Sequence, residues 1–84
     1  MTRRSVHHIS ALDPSIRLTA RRLAVVSLLR DGLIEKEVAR RLGISLATVA
    51  EHIATAKRKL SARTSAQLVS EAIRHGFLSA GSMR

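Results

Sequence analysis

The residues whose types and spacing could do chemistry lie between Ala47 and Lys59. On a helix turning about 100 degrees per residue, Ala47, Ala50, Glu51, Ala54 and Arg58 share one side, and Val49, Ile53, Ala56 and Leu60 share the opposite one. The second set is apolar and needs a core. The first set is alanine for two turns, which suits close approach to another body better than a solvated surface. In a DNA major groove, alanine methyls can contact thymine methyls and Glu51 can accept a hydrogen bond from cytosine N4. Arg58, further along, would meet the backbone. Between the two faces runs a stripe of Thr48, His52, Thr55 and Lys59, whose donors would reach phosphates on one groove wall, and Lys57 would reach the other wall. Helix propensity is the competing explanation of so many alanines.

Composition agrees with a polyanionic partner. The chain has 84 residues, 15 Lys and Arg against 6 Asp and Glu, and a formal charge of +9. Such a balance favours nucleic acid or an anionic surface. Phe77 is the one aromatic residue, which argues against single-strand binders that stack bases on aromatic platforms and leaves duplex DNA. The absence of cysteine excludes disulfides and thiolate metal sites. His7, His8, His52 and His75 show no ligand spacing on a common helix, so neither metal nor cofactor is expected. No motif joins a nucleophile, a base and an orienting acid, so an enzyme is not expected. The longest apolar runs, such as residues 23–29, are too short to span a bilayer, and residues 1–10 lack the apolar stretch of a secretory signal. A cytoplasmic location is the default expectation, with no membrane partner.

The elements that must position residues 47–59 follow from punctuation and period. Residues 1–17 show neither helical nor strand period and carry Pro14 and scattered arginines, which predicts a mobile basic arm. Thr19 caps a helix running to about Arg30, stopped by Asp31-Gly32, with Leu23, Val25, Val26 and Leu29 as its buried stripe. A second helix over 35–42 buries Ile34, Val38 and Leu42 and ends at Gly43. Ser45 caps the third helix, 46–60. Thr64 and Gln67 form a capping box for a fourth, which ends at His75-Gly76 with Phe77 packing back onto it. Residues 79–84 read as a flexible tail. Val38-Ala39-Arg40-Arg41-Leu42-Gly43-Ile44-Ser45 followed by Thr48-Val49 has the short helix, glycine turn and longer helix of a helix-turn-helix unit. The expected fold is all-α, one four-helix domain. A core this thin gains from dimerisation. The fourth helix offers more apolar circumference than one contact needs: Val69 and Ile73 form one row, and Leu68 and Ala72 its neighbour, with Ala66 nearby. One row would serve the core and the other a partner, with Ser65 and Ala72 small enough for close approach. The residues leave open which row is which.

Leu18-Thr19-Ala20-Arg21, Asp31-Gly32-Leu33, the run from Lys36 to Ser45, Thr48-Val49, His52-Ile53 and Lys59-Leu60 together resemble the LuxR/GerE (FixJ/NarL-type) helix-turn-helix family, over residues 18–78. The resemblance implies a four-helix domain whose third helix reads DNA and whose fourth pairs with a second copy on a two-fold site. Carried over by position, it implies base reading at Ala50, Glu51 and Ala54 and phosphate contact at Thr48 and Lys59. Three positions depart from the family. Arg22 stands where a Glu usually completes a capping box with Thr19. Ile34 replaces a small polar cap, and Ala50 replaces a basic residue. Most relatives carry a receiver or ligand-sensing domain ahead of this module, whereas 17 residues precede it here, so control by phosphorylation or a small ligand within this chain is not expected. The expected function is a sequence-specific transcription regulator, a homodimer on a near-palindromic duplex site, with RNA polymerase or another regulator as further partners. The alternative is an interaction module that sequesters another regulator and binds little DNA itself. A cationic membrane-surface peptide is disfavoured because the charges spread over all the helices.

Overall fold

Each helix begins where a side chain answers the free amides of its first turn. Thr19 Oγ1 accepts from Arg22 N at 3.2 Å, Ser45 Oγ from Thr48 N at 3.0 Å, and Thr64 Oγ1 from Gln67 N at 3.0 Å. Ile34 has no oxygen to offer, and only the reciprocal half of a box forms there, with the Glu37 carboxylate accepting from Ile34 N at 2.9 Å. The helices so defined are α1 (Ala20–Arg30), α2 (Glu35–Leu42), α3 (Leu46–Leu60) and α4 (Ser65–Arg74), preceded by two short strands, β1 (His7–Ile9) and β2 (Arg17–Thr19). The computed structural model describes residues 7–81. Gln67 departs from the expected box in one detail: its Oε1 accepts from Arg63 N, at 2.7 Å, rather than from the cap residue.

The four helices also end alike. Leu33 N bonds Leu28 O, Ile44 N bonds Ala39 O, Ala62 N bonds Lys57 O and Phe77 N bonds Ala72 O. In each case the residue before the donor has positive φ: Gly32, Gly43, Ser61 and Gly76. This is the Schellman closure, which satisfies the last carbonyls and throws the next side chain back across the helix. Those next side chains, Leu33, Ile44, Ala62 and Phe77, all pack in or against the core. Gly43 is the tight turn between α2 and α3, at φ 67. Such a conformation is free of strain only for glycine.

α3 packs against α1, α2 and α4, and Val25, Val26, Val38, Val49 and Leu68 are fully buried between them. Leu23, Leu29 and Leu42, expected inside, line the rim of that core. Ile34 does not. It is 62% exposed, because as the residue before the helix it lies off the stripe that Val38 and Leu42 continue.

The arm expected over residues 1–17 is corrected for its described part. His7–Ile9 pairs antiparallel with Arg17–Thr19, His8 opposite Leu18, and Leu18 is fully buried. Residues 1–6 lie outside the described residues, as do 82–84 of the expected tail. The hairpin is tied to the far end of the chain. Ser10 Oγ accepts from the amides of Leu12 and Asp13, both at 3.0 Å, and lies 2.6 Å from His75 Nδ1. With both lone pairs of the hydroxyl engaged, its proton is the one left to donate to Nδ1. The imidazole proton then sits on Nε2, which faces Glu71 Oε1 at 3.6 Å. Ala11 N donates to His75 O at 2.7 Å, and a Cβ at Gly76 would lie 3.0 Å from that of Ala11. Strands of three residues are marginal alone, so this docking holds the hairpin. At the other terminus Arg30 Nη1 donates to Ser79 O at 3.3 Å, bringing the described part of the tail onto α1.

Ser10→Ala leaves two amides and an imidazole nitrogen without their partner, so it is expected to lower unfolding stability by about 1–3 kcal/mol. Urea unfolding of the two proteins measures this. An unchanged midpoint would show that the Ser10 hydroxyl contributes nothing to the fold.

Candidate nucleic-acid interface

The apolar face of α3 fixes which way its other face looks. Val49, Ile53, Ala56 and Leu60 are all buried, as their spacing required. Ala39, buried on α2, is small enough to let α2 and α3 approach, and Ile44 packs at the rim of the core beneath the turn between them. Ala47, Ala50, Glu51, Ala54 and Arg58 are consequently exposed together.

On the flanks, Thr48, His52, Thr55 and Lys57 are half-buried and Lys59 is exposed. Ser45 Oγ donates to Thr48 Oγ1 at 2.9 Å, so the cap orients the Thr48 hydroxyl and leaves the Thr48 proton for an outside acceptor. Arg58 Nη2 donates to Thr55 Oγ1 at 3.3 Å. Among the described residues the ion pairs join Arg30 to Asp31 and Glu71 to Arg74. Lys57, Arg58 and Lys59 take part in none of them. Their charge complements the negative end of the α3 dipole while the side chains remain available to an anion.

Two features of this surface were not read from the sequence. Leu46, the first residue of α3, is 48% exposed, although an apolar residue at a helix start would ordinarily be counted toward the core. Arg22 lies beside His52: burial first, and then the Arg22 charge, hold the His52 imidazole below its ordinary pKa, with Arg21 adding to the effect and Glu51 opposing it. Arg22 Nε and His52 Nδ1 are buried without a hydrogen-bond partner. The adjacent Arg21-Arg22 pair was legible as charge, but its place against α3 depends on how α1 packs.

The second predicted site is split. Leu68 and Ala72 of α4 are fully buried, which removes both from any interface: this row is the one the protomer core needs. Ser65, Val69 and Ile73 are half-buried, Val69 at the rim of the core.

Residues 17–72, which contain α1 to α3 and most of α4, match the luxR family of bacterial regulatory proteins. The chain belongs to that family. The transcriptional activator protein BjaR1 of Bradyrhizobium diazoefficiens is 42% identical over 65 residues, covering 77% of this chain and 27% of BjaR1. Among solved structures, the transcription factor GerE is 33% identical with a TM-score of 0.72, covering 76% of this chain and 96% of GerE. The dimer-forming VqmA of Vibrio cholerae is 37% identical with a TM-score of 0.68, covering 74% of this chain and 27% of VqmA. The chain therefore spans about a quarter of the length of BjaR1 and VqmA and matches nearly all of GerE. As a family member it is a LuxR-type helix-turn-helix DNA-binding domain of a transcription regulator, and the family is not one of enzymes.

The His52 environment gives a pH signature. A depressed imidazole pKa means that the unfolded chain binds more protons between the depressed and the ordinary value, so folding stability falls as pH drops through that window. Arg22→Gln removes a neighbouring positive charge and is expected to raise the His52 pKa, as followed by the imidazole resonances in an NMR titration. Coincident curves for the two proteins would show that Arg22 does not act on His52.

Proposed function

We propose that this luxR-family domain reads duplex DNA as a homodimer on a near-palindromic site, with α3 in the major groove. The observation that carries this reading is the α3 surface itself. Over its first two turns its outer face is exposed and carries Glu51 as its one charge, so it can lie against base edges, while cations without carboxylate partners stand beyond it and on its flanks. Ala47, Ala50, Glu51 and Ala54 face the bases. Thr48, His52, Thr55 and Lys59 reach phosphates on one wall and Lys57 those on the other, with Arg58 meeting backbone beyond them. Two copies would join through Ser65, Val69 and Ile73 of α4, the row left open by the core. A two-fold pair of this kind sets two α3 helices about 34 Å apart, one turn of DNA, and so demands inverted half-sites. The VqmA dimer, formed by a protein with a similar domain, supports the pairing. A transcription regulator of this kind acts where the chromosome is, in the bacterial cytoplasm.

Two substitutions on α3 separate reading from anchoring. Lys59→Ala is expected to weaken all duplexes alike and to lower the salt slope of binding by about one, whereas Glu51→Ala changes which sequence is preferred, by about 1–3 kcal/mol of discrimination. If fluorescence anisotropy shows both variants scaling every site together, Glu51 reads no base.

Ile73→Glu tests the dimer. Ile73 is half-buried and absent from the core, so the variant should keep its helical circular dichroism while losing self-association, because a partner contact cannot bury an unpaired carboxylate. Unchanged sedimentation and unchanged binding to a two-half-site duplex would remove α4 as the interface.

A further inference from the structure

The start of α3 carries an apolar side chain for which the core has no use. Val49, Ile53, Ala56 and Leu60 complete the buried face of the helix, and Leu46 stands outside it at 48% exposure. Ala50 and Ala54 follow Leu46 at four-residue spacing, so the three lie in one row; Ala47 begins the next row and Glu51 continues it. All five are exposed.

This face offers methyl groups and one carboxylate, and no donor until Lys57. The four base pairs differ in what they present to such a surface. Guanine shows two acceptors, N7 and O6, which are ordinarily met by Arg or Lys. A carboxylate can only accept, so Glu51 is repelled by guanine N7 and O6 and is matched by an amino group. Thymine alone shows a methyl group in the major groove. The unpaired cations Lys57, Arg58 and Lys59 beside this apolar row select a polyanion as its occupant rather than an apolar protein surface.

We propose that α3 recognises thymine through its 5-methyl group, with Leu46 as a specificity-determining residue at the head of the Leu46–Ala50–Ala54 row, and that Glu51 excludes guanine as the base it contacts, in favour of an amino-bearing cytosine or adenine. The inference rests on α3 lying in the groove and names what it reads there. Leu46 reaches further from the helix axis than the alanines, so it makes the fullest methyl contact, at the end of α3 nearest the turn.

The test uses the full chain and a duplex selected from a random pool. That duplex is expected to hold thymine under the first two turns of α3, and a base other than guanine at the one position Glu51 contacts. Replacing each thymine singly by uracil removes one methyl and leaves pairing and the O4 acceptor intact. For at least one thymine per half-site, affinity measured by fluorescence anisotropy at fixed salt should fall about fourfold, the factor that burial of one methyl group corresponds to. Leu46→Ala, a change at an exposed position with no core role, should keep its circular dichroism and bind the thymine and uracil duplexes alike at that position. Selective binding that is indifferent to every uracil replacement overturns the proposal and leaves groove reading standing. A Leu46→Ala protein that retains the full thymine preference overturns the role of Leu46. Failure to bind any duplex, even at low salt, overturns the groove reading and this proposal together.

Discussion

Burial of one face of α3 is the constraint on which the rest of the structure depends. Val49, Ile53, Ala56 and Leu60 have little else to pack against than the other three helices, and α3 accordingly touches α1, α2 and α4. A domain this small has no second core to fall back on. Every other helix is placed to close that one cavity, and whatever lies opposite Val49 and Ile53 is driven to the surface. The exposed Ala50–Glu51–Ala54 face is thus a consequence of packing, and its chemistry is left free because no residue on it holds the fold together.

Closure of that core is achieved by the helix ends as much as by their middles. Leu33, Ile44, Ala62 and Phe77 each follow a residue of positive φ and turn back into or against the core, so the connections contribute apolar surface that short helices lack. At Ser61, after α3, the left-handed position is held by a residue with a Cβ, at φ 56, which costs about 1–2 kcal/mol against a glycine there. At the end of α4 the same turn also receives the N-terminal hairpin, where Ser10 and Ala11 meet His75 and Gly76. The α4 C-terminus is therefore fixed from two directions, which keeps the Val69 and Ile73 row at a set angle to α3.

Charge is distributed so that the few carboxylates are occupied elsewhere. Asp31 pairs with Arg30, and Glu71 pairs with Arg74 and faces the His75 Nε2. Glu35 and Glu37 stand in the first turn of α2, where the helix dipole favours them, and Asp13 holds the hairpin turn by accepting from Ser15. Only Glu51 of the six acids lies on the outer face of α3. The positive field of the chain is thus little neutralised around α3, the helix proposed to enter the groove, and such a field raises encounter rates with a polyanion as well as affinity.

What the sequence by itself determined is what depends on residues close along the chain. The 3.6-residue period of α3, the Thr19, Ser45 and Thr64 caps and the Gly43 turn are local, and they placed the four helices and the exposed face of Ala47, Ala50, Glu51, Ala54 and Arg58 before any packing was known. The tertiary structure alone decided the rest, because those choices lie between neighbours distant in sequence. Leu68 and Val69 are adjacent and equally apolar, and only the position of α4 against α1 and α3 made Leu68 core and left Val69 at the rim. The hairpin of residues 7–19 has strands too short to show a period, and it is held by His75, 65 residues beyond Ser10. Arg22 read as a misplaced helix-start cation until the packing of α1 on α3 put it beside His52. The exposure of Leu46 likewise follows from packing that fills the core without it, since hydrophobicity states that a side chain prefers burial but not whether the fold has room to bury it.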